Sequence, residues 1–317
     1  MPTPTATPTP TTTPLPPQAE VWAASANLRF VVGYDIDGNQ KKVIDLSSLS
    51  PTGGITALSF IDRNHLLAFL DPGTSGERFV TLNVEDGTIN PAWYMDTLNF
   101  GNVVVNNIIK FSSNTLYVPK ATAVENLLFD FNKNLVSRVA AVTWPIINTV
   151  ACPLTTIQYA APLKYKGVDS LLVVSSGTNT RLNVWTATTS VPACVAANSY
   201  NYTTSVPTNA TYVPVAAFQG ISGKVLVRFQ HPTTPRIMSF DFDGITLSNG
   251  IDLFTNVAVL SAGTASREMV PFGDSILISD WSNNAIHKVG LDGSYKGIFA
   301  KDGFSMSINS IAVRPAQ

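Results

Sequence analysis

Six apolar hexapeptides recur along the chain at roughly fifty-residue intervals, and they decide the fold. They are ITALSF (Ile55 to Phe60), NNIIKF (Asn106 to Phe111), TTIQYA (Thr155 to Ala160), VPVAAF (Val213 to Phe218), REMVPF (Arg267 to Phe272) and INSIAV (Ile308 to Val313), and they align without gaps. A second apolar run follows all but the last: LLAFLD from Leu66, TLYVPK from Thr115, LLVVSS from Leu171, KVLVRF from Lys224 and ILISDW from Ile276. Third runs come next (RFVTLNVEDG, ENLLFDFNKN, RLNVWTATTS, RIMSFDFDG and AIHKVGLDG), then weaker fourth runs such as VSRVAAVTW from Val136 and YKGIFAKD from Tyr295. Runs of this length, rich in β-branched and aromatic residues and bounded by turn signals, read as strands. No window carries a sustained helical period with caps.

The chain ends complete the count. INSIAV is a first strand followed only by Arg314 to Gln317, whereas VWAASA from Val21, LRFVVGYDIDG from Leu28 and KKVIDL from Lys41 supply second, third and fourth strands without a first. The simplest solution joins them. The expected fold is therefore all-β: a six-bladed β-propeller of four-stranded antiparallel blades, residues 18–317, closed by the C-terminal strand completing the N-terminal blade. Radial repetition of this kind leaves only short sheet edges exposed.

The stretch Ser275 to Gly293, SILISDWSNNAIHKVGLDG, is the clearest repeat. Strand, Asp, polar loop, strand with a basic residue, then Asp-Gly: this resembles the repeats of the NHL and YWTD classes of six-bladed propeller. The resemblance implies the fold; related propellers include lactonases, receptor ectodomains and protein- or glycan-binding modules, so it implies no single activity.

Residues 1–17, MPTPTATPTPTTTPLPP, form a Pro/Thr tract that cannot be helical and adds no core. Extended at about 3.1 Å per residue, it would act as a disordered linker or a stalk of roughly 50 Å. Only 13% of residues are charged, the net charge is −1, and Thr, Ser and Asn must supply the surface polarity. Typical domains are about 25% charged. That balance gives no reason to expect nucleic acid as a partner. No apolar run reaches the roughly 20 residues of a membrane span. With no basic n-region before an apolar core, any export signal is expected to be already removed. An extracellular, periplasmic or cell-surface monomer is the expectation.

The Asp-Gly motifs YDIDG, NVEDG, FDFDG and GLDG lack the further oxygen ligands of a calcium loop. All sit between third and fourth strands, where Gly supplies positive φ, so they read as turns. Cys152 and Cys194 bracket the fourth unit. They read as a disulfide closing a loop of about 43 residues, which would stabilise by roughly 4 kcal/mol, or as two free buried thiols. Asn201 and Asn209 match the N-glycosylation pattern, as chance allows in an Asn/Thr-rich chain. His65 and His287 fall in a turn and a strand and read as structural. No phosphate loop, nucleophile elbow or Cys/His signature is present, so an enzyme is the secondary reading.

Two places remain for a site. The face carrying the second-to-third and fourth-to-first connections gathers Trp93, Tyr94, Trp144, the Tyr200 to Tyr212 loop, His231, Asp280 and Trp281, which suits recognition of a protein or carbohydrate. The second position of the inner strands places Thr56, Asn107, Thr156, Pro214, Glu268 and Asn309 around the channel. A carboxylate buried there needs an arginine, a water or a cation as partner. Glu268, Asn107 and Asn309 are candidate ligands for a small molecule or, at most weakly, calcium; no tighter cofactor or metal is expected, because one carboxylate is too few. The functional expectation is a binding or adhesion module, the alternative a lactonase-like hydrolase or lyase working in the channel.

Overall fold

The structure, a computed structural model, describes residues 20–25, 27–49, 53–71, 78–90, 107–110, 115–120, 123–130, 135–143, 156–176, 181–186, 212–220, 223–245, 247–260, 268–301 and 307–316. The Pro/Thr tract, Cys152, Cys194, Trp93, Tyr94, Trp144, Asn201, Asn209 and Arg267 lie outside the described residues.

Blade 1 contributes β1 (Val21–Ser25), β2 (Phe30–Tyr34) and β3 (Gln40–Asp45). Blade 2 is β4 (Gly54–Phe60), β5 (His65–Asp71), β6 (Arg78–Asn83) and β7 (Ile89–Asn90), and blade 3 is β8 (Ile109–Lys110), β9 (Thr115–Lys120), β10 (Ala123–Asp130) and β11 (Leu135–Thr143). Blade 4 shows β12 (Thr156–Tyr165), β13 (Val168–Ser176) and β14 (Arg181–Thr186) among its described residues. Blade 5 is β15 (Val213–Gln219), β16 (Val225–Gln230), β17 (Arg236–Phe242) and β18 (Leu247–Phe254), followed by one helical turn, α1 (Val257–Leu260). Blade 6 is β19 (Met269–Phe272), β20 (Ser275–Asp280), β21 (Ala285–Gly290) and β22 (Tyr295–Lys301). The last strand, β23 (Ile308–Val313), pairs antiparallel with β1, giving the order β23-β1-β2-β3. The ring is six antiparallel sheets of four strands, three in blade 4 as described, closed by its own termini.

The closure is more than one strand pair. Val21 opposes Val313 and Ala24 opposes Ser310. Beyond the ladder, Arg314 N–H donates to the Glu20 carbonyl at 2.8 Å. The buried Arg314 guanidinium then crosses to blade 2, donating to the Arg63 carbonyl and the Asn64 side chain, each at 2.9 Å, and pairing with Glu85. C-terminal residues thus fasten blade 1 internally and fasten it to blade 2.

The Asp-Gly turns adopt the positive φ that their sequence implies, and those of Gly38, Gly87 and Gly293 also lean on the preceding blade, whereas Gly244 meets blade 4 only through its carbonyl, which accepts Lys166 N–H at 2.8 Å. Gly38 (φ +84°) lies so close to the Phe299 carbonyl of β22 that a Cβ would stand 1.7 Å from its oxygen. Gly293 (φ +83°) stands in the same relation to the Leu253 carbonyl of β18, where a Cβ would be 2.2 Å away. At the turn of Gly87, Lys42 Nζ of blade 1 donates to the Val84 and Glu85 carbonyls at 3.1 and 2.7 Å. A turn signal in the sequence is therefore also an interblade seam.

The gap-free alignment of the inner strands needs correction in two blades. One residue stands out of register in β4, β12, β15 and β23: Thr56, Gln158, Val215 and Asn309. Blades 4 and 5 accordingly place Gln158 and Val215, not Thr156 and Pro214, in the column of Thr56 and Asn309. A bulge inserts one residue and re-aims the side chains beyond it, which a pattern of apolar letters does not record.

Candidate functional site

Inner strands run along the axis of the ring, and the space between them is a cavity of about 590 Å³. Its lining passes from Glu268, Tyr159 and Asn107 down to Phe60, Lys164, Gln219 and Pro315, at the ends of the inner strands. Its walls between these levels are largely apolar, among them Ala160, Pro162, Ala217, Met269 and Ile311.

The floor is a hydrogen-bond network. Glu268 immediately precedes β19 and is 4% exposed. Tyr159 of blade 4 donates its hydroxyl to Glu268 Oε1 at 2.8 Å, spanning the channel to blade 6. Ser310 Oγ of blade 1 donates to Oε2 at 3.2 Å while accepting Leu58 N–H from blade 2 at 2.9 Å. Asn107, also 4% exposed, stands against the Tyr159 hydroxyl and donates Nδ2 to the Ala160 carbonyl at 2.7 Å. That bond fixes the amide orientation and leaves Oδ1 buried with no hydrogen-bond partner. Among the described residues no cationic side chain is a partner of Glu268. Burial pushes its carboxyl up to about 8, against the opposing pull of the two hydroxyl donors, so it holds its proton at neutral pH. Burial, then the charge of Glu268, raises Tyr159 well above the ordinary phenol value, so it stays a donor.

Of the sequence-derived channel residues, Glu268 and Asn107 meet at this floor. Asn309 does not line the cavity; its Nδ2 donates to the Thr56 carbonyl at 2.9 Å, tying blade 1 to blade 2. The buried carboxyl has two hydroxyl partners, Tyr159 and Ser310, that the sequence did not name.

Of the residues expected on the loop face, Asp280 and His231 are engaged internally among the described residues. Asp280, fully buried at the end of β20, accepts from His287 Nε2 at 2.9 Å and from Asn283 Nδ2 and N–H at 2.7 and 3.1 Å. Burial works to raise its pKa, but the hydrogen bonds from His287 and Asn283 hold the carboxyl below its ordinary value. Arg228 of β16, 2% exposed, faces that charge from blade 5 and donates Nη2 to the Leu260 carbonyl at 3.1 Å. His287 Nδ1 meets the Tyr295 hydroxyl at 2.9 Å. His231 stacks on Tyr212 at 4.3 Å between ring centroids and accepts Thr234 N–H at 3.0 Å, which closes its own turn. Trp281, half-buried, follows Asp280.

Sequence reasoning missed Tyr159, Ser310 and Arg228. Arg228 had a signal, a charge inside the apolar run KVLVRF. Tyr159 was hidden because the bulged residue of its strand is Gln158, two positions later than the gap-free alignment puts it.

The fold defines a class, the six-bladed β-propeller resembling the NHL and YWTD repeats. No family model matches the chain, and no curated protein matches it in sequence. Solved structures with the same architecture include a nidogen/laminin complex, at 10% identity and TM-score 0.63, covering 94% of this chain and 99% of that one. A Bacteroides caccae protein of unknown function aligns at 10% identity and TM-score 0.57 over 95% and 100% of the two chains. A putative 6-phosphogluconolactonase from Bacteroides fragilis aligns at 10% identity and TM-score 0.56 over 96% and 99%. At this identity the likeness is one of fold. Among the described residues no helix is long and apolar enough to cross a membrane.

Proposed function

We propose that the chain is an exported or cell-surface binding module whose ligand is a protein, presented on a propeller held away from its anchor by the Pro/Thr tract. The observation that carries this reading is the donor set of the channel. A lactonase-like centre needs several carboxylates and amides converging on one point, and the floor offers one buried carboxyl, tied to Tyr159 and Ser310 and protonated at neutral pH. The low charge and the Thr, Ser and Asn content suit an exported surface. A six-bladed propeller in the nidogen/laminin complex gives a precedent for the architecture in a protein assembly. Export carries the disulfide with it: Cys152 and Cys194 would be bonded, which mass spectrometry of the unreduced chain checks.

The hydrolase or lyase alternative has one feature in its favour, a carboxyl with a raised pKa at the end of a cavity. Screening the purified chain against extracellular-protein and glycan arrays, beside a lactone-hydrolysis assay, separates the readings. Saturable binding to a protein without turnover supports the module. Glycan binding alone replaces the protein partner with a carbohydrate, and lactone turnover lost in Glu268→Gln overturns the reading in favour of catalysis.

A further inference from the structure

We propose that the channel cavity binds an organic ammonium cation, a primary amine on an apolar body, with its head group against Glu268 and Asn107 and its body along the inner strands. This stands independently of the partner on the loop face.

Three observations converge. First, Glu268 is a buried carboxyl with hydroxyl partners and, among the described residues, no cationic side chain against it. Such a group must hold a proton or acquire a positive partner. Second, Asn107 Oδ1 is buried, without a hydrogen-bond partner, and belongs to a residue that lines the same floor. An acceptor left this way calls for an N–H or O–H donor. Third, the space above them holds about 590 Å³ and is walled largely by apolar side chains and strand backbone. That is the size range of small-molecule pockets, in which a few polar groups fix orientation.

The acceptors select the head group. A primary ammonium has three N–H donors; the floor supplies a carboxylate oxygen, Asn107 Oδ1 and the remaining lone pair of the Tyr159 oxygen. A divalent cation would want six or more oxygens and further carboxylates. A neutral alcohol offers a single donor and no charge, so it leaves the Glu268 proton in place and forms no ion pair with the floor. Rim charges do not compete for the head: Lys164 is paired with Asp169 at 2.9 Å, and exposed Lys110 lies three residues beyond Asn107, roughly 10 Å along the strand. The carboxyl itself is met by Tyr159 of β12 and Ser310 of β23, while Ser279 of β20 meets the Glu268 backbone and Asn107 meets Tyr159; none of the four is charged at neutral pH.

When the ammonium enters, the Glu268 proton leaves to solvent and Tyr159 and Ser310 continue to donate to the resulting carboxylate. Binding is therefore coupled to release of close to one proton at pH 6 to 7, and affinity falls about tenfold per pH unit below 8.

Calorimetric titration of the full chain with phenethylamine, using 2-phenylethanol and calcium chloride as controls, tests the proposal. Running it at pH 6, 7 and 8 in buffers of different ionisation enthalpy counts the protons. The expected result is saturable amine binding at least tenfold tighter than the alcohol, with near-stoichiometric proton release at pH 6 that falls to about half a proton at pH 8. In Glu268→Gln both the amine preference and the proton release are lost. Equal affinity for amine and alcohol, amine binding without proton release, or binding unchanged in Glu268→Gln overturns the site. So does heat with calcium and none with the amine. The proton count is made on the wild-type chain and does not depend on whether the variant folds.

Discussion

Tyr159 of blade 4 hydrogen-bonds Glu268 of blade 6 at 2.8 Å, joining two blades that are not neighbours in the ring. The bond lies at one end of the channel, where burial, against the pull of the hydroxyl, keeps the carboxyl protonated at neutral pH. In the unfolded chain this group titrates near 4.5, and in the fold near 8, raised by burial. The folded state thus binds the extra proton, so the contribution is full below pH 4.5 and is lost as pH rises through 8. Gln reproduces the protonated carboxyl in shape. Glu268→Gln should therefore melt within a few degrees of wild type at pH 5 and above it at pH 9, where the difference reaches on the order of 4 kcal/mol. Paired thermal melts across that range read it. A difference that stays constant with pH removes the buried titration.

Arg228 of blade 5 feels the charge of Asp280 of blade 6 without a direct ion pair between them. Burial lowers the Arg228 pKa to about 10 and Asp280 raises it in part, so the guanidinium stays charged at pH 7. The direct buried partners of Asp280 are His287 and Asn283, and removing one member of such a buried set typically costs about 3–5 kcal/mol. Asp280→Asn should fall in that range by denaturant unfolding. The double variant Asp280→Asn with Arg228→Met should recover part of the loss, because no lone charge then remains. A double variant as unstable as the sum of its parts would mean that Asp280 acts through His287 and Asn283 alone.

The architecture was legible because propeller strands are short, apolar and punctuated, and because the unmatched first strand INSIAV answered three orphan strands at the other end. The Asp-Gly motifs were legible as turns from the need for positive φ. Their second role, pressing on the preceding blade, was not, since a glycine reads the same whether its missing Cβ faces solvent or a carbonyl. The floor was legible in composition, Glu268 and Asn107 among apolar neighbours, but not in partnership. Bulges at Thr56, Gln158, Val215 and Asn309 change register without changing the apolar pattern, so Tyr159 could not be matched to Glu268 by spacing. On the loop face, Asp280 and His231 carry side chains typical of binding sites, and it takes three dimensions to see them engaged by His287 and by Tyr212 and Thr234.

Closure by β23 gives a truncation experiment a sharp outcome. Ending the chain before Ile308 removes the inner strand of blade 1, the Ser310 bond to Glu268 and the Arg314 contacts to Arg63, Asn64 and Glu85. It also exposes the edge of β1, which is apolar and buried throughout. The truncated chain should lack a cooperative melting transition and aggregate. A separate peptide spanning 307–317 should restore the transition in trans if added during refolding. A truncated chain that melts like the whole would show that the ring is not closed by its termini.

The seam role of the Asp-Gly turns separates two glycines with nearly the same backbone. Gly38 (φ +84°) abuts the Phe299 carbonyl, where a Cβ would lie 1.7 Å from the oxygen; Gly244 (φ +91°) has nothing within 4 Å of its Cβ position. Alanine at either site meets the left-handed backbone penalty, roughly 1–2 kcal/mol. At Gly38 it must also push β22 of blade 6 away from blade 1, because a carbonyl in a strand ladder cannot rotate aside, and the total should reach about 3 kcal/mol or more. Gly244→Ala should therefore lower the melting temperature modestly and Gly38→Ala by more than twice as much. Hydrogen exchange should localise the extra loss to β22 and to the turn of residues 35–39. Equal losses at the two sites would reduce the motif to a turn signal and leave the interblade seam without energetic weight.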